Sequence, residues 1–229
     1  MADADGIALA EGESASPSVY DLIREEILEG RLAANERLKV ADLAVRLGTS
    51  TNPVREALQQ LRGEGFVLFE PNRGARVRPM DEDFVRDSFE VEMLIEPYLT
   101  RWFVGIVTER ELDALEAIEA EIETLNFEDP VLHSALDLRF HRLIYARHYN
   151  RNAAEIWWKH RRILGAVARA FPVSLGRRLS VVQEHRALIA LIRAQDADGA
   201  AALVKQHVEN SGKHLVERMR AAGHREHRA

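Results

Sequence analysis

Apolar residues in the first third of the chain recur at helical spacing in short blocks punctuated by glycine. Val19, Leu22, Ile23 and Ile27 predict one helix, opened by Ser16, Pro17 or Ser18 and stopped by Gly30. Leu43, Ala44 and Leu47 predict a second over about 39–47, ended by Gly48. After a tight GTS turn a third helix begins, capped by Ser50 or Asn52, with Pro53 in its first turn. Its buried stripe is Val54, Ala57, Leu58 and Leu61, and Gly65 ends it. The period then changes, and FVLFE, PNRG and ARVRP read as strand, turn and strand. Helices joined by a tight turn and followed by a β-hairpin predict a winged helix-turn-helix over residues 16–79.

The polar side of the third helix gives that module a partner. Thr51, Asn52, Arg55, Gln59 and Arg62 lie opposite the apolar stripe. A helix entering the major groove by its N-terminus brings Ser50, Thr51, Asn52 and Arg55 nearest the bases and phosphates, with Gln59 further along. The hairpin carries Arg73 and Gly74 at its tip and Arg76 and Arg78 on its return strand, in reach of the flanking backbone or minor groove. The expected partner is double-stranded DNA.

Arg78-Pro79-Met80-Asp81 reads as a linker, and beyond it the apolar period is helical throughout. Helices are expected at 83–104, 108–125, 130–148, 152–170, 175–194 and 197–221, with breaks at Gly105, Phe127 to Pro130, Asn150, Phe171-Pro172 and Asp196. Stripes such as Leu112, Leu115, Ile118 and Ile122 predict an antiparallel bundle over 80–222. The fold class is therefore mainly α. Residues 1–15, acidic and rich in small side chains without a basic start, read as a disordered tail rather than a secretory signal. Residues 223–229 read as a frayed basic tail.

Composition adds three constraints. Without cysteine there is no disulfide, thiolate metal site or thiol catalysis, in keeping with a cytoplasmic protein. No apolar run approaches the ~18 residues a membrane-spanning helix needs. The net charge of −6 is unevenly spread: residues 17–79 hold ten basic and nine acidic side chains, so the excess acid lies elsewhere. An acidic second domain leaves phosphate contact to a few arginines of the first.

Within the bundle, Asp137 and His141 stand one turn apart on one helix face. His185 is flanked at helical spacing by Val181, Val182, Leu188 and Ile189, and His207 follows Leu203 and Val204. All three imidazoles are expected to point inward. Spacing alone leaves two readings open: core histidines bonded to neighbours, or an N₃O set for a divalent transition metal such as Zn²⁺ or Ni²⁺. His133, His148, His160, His214, His224 and His227 fit no such pattern and are expected at the surface or at helix ends.

The segments SVYDLIREEILEGRL, LAVRLGTSTNPVREALQQLRGEGFV and PNRGARV, covering about 18–78, resemble the DNA-binding domain of GntR-family bacterial regulators. Residues 83–220 are similar to the all-helical FCD effector-binding domain of that family's FadR-type branch. Its metal-binding members carry Asp-x-x-x-His on one helix and one His on each of two later helices, a pattern met by LDLRFHRLI, QEHRALI and KQHVENS. The resemblance thus implies Asp137, His141, His185 and His207 as metal ligands, a homodimer, and a small-molecule effector.

Several departures mark this chain. Ala34-Asn35 replaces the usual Pro-Gly, Thr51 stands where an arginine commonly contacts DNA, and Ala41 replaces a frequent Arg or Glu. Arg55 is kept, and Asn52 is a substitute reader able to pair with adenine. In the first bundle helix Glu92 occupies the place of a frequent arginine. That weakens the bias toward carboxylate effectors, unless Glu92 simply faces an arginine such as Arg139 or Arg142. Glu92, Trp157 and Asn210 are the expected pocket residues, although Trp157 or Trp158 equally suits the core or a dimer seam. The expected function is a ligand-responsive repressor on a palindromic operator. A constitutive regulator with a purely structural metal, or a metal-dependent hydrolase using Glu184 as base, are the alternatives.

Overall fold

The computed structural model describes residues 17–70, 73–125, 128–171 and 173–226. The expected tail at 1–15, Ser16 as a helix opener, the Pro71-Asn72 turn, the breaks at Phe127 and Pro172, and residues 227–229 lie outside the described residues.

Three helices and a small sheet form the N-terminal module. Helix α1 (Val19–Leu28) is capped by Ser18, whose hydroxyl accepts the Asp21 amide at 3.1 Å. Strand β1 (Arg37–Leu38) follows, then α2 (Val40–Arg46), α3 (Thr51–Glu64), β2 (Val67–Glu70) and β3 (Gly74–Val77). The sheet is antiparallel in the order β1-β3-β2, with Leu38 opposite Ala75 and Phe69 opposite Ala75 on the other side. Ile23, Val54, Leu58, Leu61, Phe66 and Val77 make the buried core, which includes the stripe expected of α3. Asn35 turns the chain into β1 with φ +64°, a left-handed backbone that asparagine tolerates better than most residues. That explains how the Ala34-Asn35 departure is accommodated.

The C-terminal module is helical among its described residues: α4 (Glu82–Val104), α5 (Glu109–Thr124), α6 (Pro130–Tyr145), α7 (Arg151–Ala170), α8 (Leu175–Arg193) and α9 (Ala197–Glu226). Most starts are fixed by side-chain caps, which satisfy amides that the helix itself leaves free. Asp81 caps α4, Thr108 forms a capping box with Glu111 on α5, Asp129 precedes Pro130 on α6, and Asn150 and Ser174 open α7 and α8. α9 continues to Glu226, five residues past its expected end. The long helices α4 and α9 pack along each other, α5 packs on α6 and α8, and α7 touches α4 and α6. α7 also packs against α1 and α3, joining the two modules. No described helix is long and apolar enough to cross a membrane.

Candidate functional site

The residues expected to face DNA lie on α3 and the wing, most of them exposed. Ser50 is the N-cap of α3, with extended backbone and no side-chain capping bond; Asn52 lies one residue inside the helix. Ser50, Asn52, Arg55 and Gln59 are exposed and Thr51 is half-buried, on the side away from the buried Val54, Ala57, Leu58 and Leu61. Arg73 and Gly74 are exposed beyond β2. Arg76 is partly engaged within the wing: it donates to the Asn35 carbonyl at 3.0 Å and lies 3.5 Å from Glu70. Arg78 turns inward, donating to the Gly65 carbonyl and covering the Phe84 ring.

The bundle histidines converge. His141 from α6, His185 from α8 and His207 from α9 are all buried, their ring centroids forming a nearly equilateral triangle with sides of 5.2, 5.2 and 5.3 Å. One nitrogen of each lies within 4.8 Å of the others. Asp137 Oδ1 stands 3.9 Å from His141 Nε2 and 3.7 Å from His185 Nε2. Its other oxygen is ion-paired with Arg161 of α7. A tetrahedral ion with bonds of about 2.1 Å keeps its ligand atoms about 3.4 Å apart, so small side-chain rotations suffice to close the set.

Two observations test the fit to a metal. His141 and His185 each have a buried Nε2 without a hydrogen-bond partner, both aimed at the Asp137 oxygen. Such atoms are costly unless something satisfies them. Carboxylates also hold the far side of two rings: His185 Nδ1 meets Glu119 Oε2 at 2.8 Å, and His207 Nδ1 meets Glu184 Oε2 at 2.6 Å. A carboxylate on Nδ1 fixes the tautomer that turns an Nε2 lone pair inward, as metal-ligating histidines require. The donor set therefore fits a first-row divalent ion.

Electrostatics agree. Burial, reinforced by the nearby Arg161, holds the His141 imidazole well below its ordinary value and hence neutral. Burial alone would raise the Asp137 carboxyl, but Arg161 and the histidines keep it well below the usual carboxylate range. Glu184 resists burial through hydrogen bonds from His207 and Arg177 and is brought to about 2. With its oxygens given to His207, Arg177 and Asn210, it is not poised as a general base at the centre.

The expected pocket residues divide. Trp157 is buried core, its indole N–H donating to Glu96 Oε1 at 3.1 Å. Asn210 donates to Glu184 at 3.2 Å, behind His207. Glu92 is buried on α4 but faces neither Arg139 nor Arg142, which engage Glu121 and Trp158. Its Oε1 lies 3.1 Å from His160 Nδ1. Burial raises the carboxyls of both Glu92 and its neighbour Glu96 to about 8. Glu96 also accepts from Tyr145 at 3.0 Å and stands 3.9 Å from His141 Nδ1.

Among the histidines outside the pattern, His148 lies at a helix end as expected, whereas His160 and His214 are half-buried within α7 and α9 rather than at a surface or helix end. His148, just beyond α6, is fully buried among Tyr98, Trp102 and Tyr149, because these rings close over the helix end. His160 is half-buried against Glu92. Arg161, Glu96, Glu119 and the role of Glu184 were not read from the sequence. The available signal was a carboxylate inside an apolar stripe, as at Glu119 between Leu115 and Ile122 or Glu92 and Glu96 between Phe89 and Leu99.

A winged helix-turn-helix packed on an all-helical domain with a buried polar centre defines a DNA-binding regulator with a built-in sensing module. Comparison with known proteins gives the family. Residues 15–77 match the bacterial regulatory proteins of the gntR family, and residues 87–210 match the FCD domain. The HTH-type transcriptional repressor GlaR of Escherichia coli is 27% identical over 209 residues, covering 82% of this chain and 90% of that protein. An HTH-type transcriptional regulator of Paraburkholderia xenovorans, BphR, is 36% identical over 96 residues, 42% of this chain and 39% of that one. The solved structure of Lar, which controls expression of the Listeria monocytogenes agr system, superposes with a TM-score of 0.68 over 87% of this chain and 95% of that one; at 20% identity this speaks to the fold alone. The chain belongs to the GntR family of transcriptional regulators, in the branch whose C-terminal half is an FCD domain.

Proposed function

We propose that the protein is a cytoplasmic, homodimeric transcriptional repressor that binds a palindromic operator and responds to a small molecule at a metal-centred site. The observation that carries this reading is the convergence of three buried imidazoles and Asp137 in a bundle packed directly against the winged helix. Zn²⁺ or Ni²⁺ suits the N₃O donors, and a bound ion would offer an open coordination position to an effector. The repressor GlaR supports the sign of regulation by analogy. Each protomer would present Ser50, Thr51, Asn52, Arg55 and Gln59 to one half-site, with Arg73, Gly74 and Arg76 on the wing, since a two-fold protein demands a two-fold site. Glu92, kept protonated near neutral pH by burial, does not present the negative charge that would disfavour a carboxylate effector.

The test joins both halves. A duplex selected from genomic fragments should be retarded by the wild type, and metal plus candidate metabolites should change that affinity. Arg55→Ala should lose specific retardation, a change of about 1–3 kcal/mol in discrimination, while residual non-specific binding persists. Failure to prefer any duplex over random competitor would refute the reading. A constitutive regulator with a structural ion remains the second reading, favoured if the metal raises the melting temperature but no metabolite does so further.

A further inference from the structure

We propose that the turn of α7 from His160 to Ile163 transmits the state of the histidine centre to the DNA-reading helix. The proposal rests on the reading of that centre as the ligand site. Four consecutive residues, spanning about 4.5 Å of helix axis, face both modules. His160 stands against Glu92, and Arg161 is ion-paired with the candidate ligand Asp137. One residue on, Arg162 contacts Glu64 Oε1 at 3.0 Å and donates to the Tyr20 hydroxyl at 3.0 Å. Tyr20 in turn donates to Glu64 Oε2 at 2.6 Å. Ile163 completes the contact: a Cβ placed on Gly65 would stand 2.6 Å from its Cδ1. Glu64 is the last residue of α3 and Gly65 its C-cap.

The two ends of this turn are coupled by simple physics. Asp137 divides its charge, one oxygen toward Arg161 and the other toward the two unsatisfied imidazole nitrogens. A cation taken up among the imidazoles competes for the same carboxylate and loosens its hold on Arg161. Backbone neighbours in a hydrogen-bonded helix move together, so a shift of the α7 backbone on release of Arg161 is carried to Arg162 and Ile163. Ile163 packs against the backbone at Gly65, so its movement is felt at the end of α3. By linkage, operator binding must alter ligand affinity by the same factor.

Hydrogen exchange at two amides reads the junction directly. Gly65 N–H bonds to the Arg62 carbonyl at 3.0 Å and Phe66 N–H to the Leu61 carbonyl at 2.9 Å. In metal-free, full-length protein, Asp137→Asn should change exchange at these amides by about fivefold or more, the low end of intersite coupling. Arg162→Ala should do likewise, and the double variant should go no further than either alone. Zinc alone added to the wild type should shift the same amides. Arg162→Ala should abolish that shift while the variant still takes up zinc, read against a chromophoric chelator. Protection at Ile118 and Leu188 controls for global unfolding, with Arg162→Gln as the milder replacement if Arg162→Ala loses it. Additive effects of the two substitutions, or no change at Gly65 and Phe66 in Asp137→Asn protein, overturn the proposal. If zinc fails to bind, the metal reading falls and the substitution pair still decides the coupling.

Discussion

The buried carboxylates of the bundle play two different parts. Glu119 holds His185 from behind, and such outer partners are worth about 10–100-fold in metal affinity. Glu119→Gln should therefore weaken zinc binding by that order in a competition titration, leaving the fold intact. Glu92 is the opposite case, a buried acid lifted by burial from 4.5 to about 8. Between those values the folded chain keeps a proton that the unfolded chain has released, so stability falls as pH rises through the interval. Removing the ionisable group removes that slope. In chelator-treated protein, Glu92→Gln should gain on the order of 4 kcal/mol over wild type at pH 8.5 relative to pH 5; equal gains at both pH values would count against a buried acid. At this scale the convergence of three imidazoles was legible, because His141, His185 and His207 are polar residues placed on apolar helix faces, while their reading with Asp137 as a ligand set came from the family resemblance. Their supports were not. Glu119, Glu96 and Arg161 come from other helices, and only packing brings them within hydrogen-bonding or ion-pair distance.

Helix boundaries were legible because caps and breakers are local. Asp81, Thr108, Asp129, Asn150 and Ser174 each announce a start within the chain itself. Strand β1 was invisible, since two residues cannot display an alternating pattern and Arg37-Leu38 is strand only through pairing with Arg76 and Ala75. The end of α3 shows what an element-scale constraint costs. Gly65 has φ +91°, and a Cβ there would press on the Cδ1 of Ile163. Gly65→Ala should destabilise the protein by about 1–3 kcal/mol in denaturant unfolding. Measured against Ile163→Ala alone, the added cost of Gly65→Ala should shrink only by the part due to crowding, since the backbone strain remains.

At the scale of the molecule, acid and base are segregated: residues 17–79 are nearly balanced while the rest carries the negative excess. On the proposed reading, operator affinity should depend on the few exposed arginines of α3 and the wing, and fall steeply with salt. A ligand that binds only the folded state stabilises it by mass action. Zinc at about 100 times its dissociation constant should add about 2.7 kcal/mol to stability, read as a raised melting temperature. His141→Ala should remove that gain; its persistence would place the ion elsewhere.

The contact between Ile163 and Gly65 has a practical consequence for anyone wishing to rewire such proteins. Grafting a foreign reading head onto this sensor at the linker would leave α7 facing whatever residues the graft supplies. A hybrid lacking glycine at position 65, or acid and phenol at positions 64 and 20, would keep both its parts and lose the conversation between them.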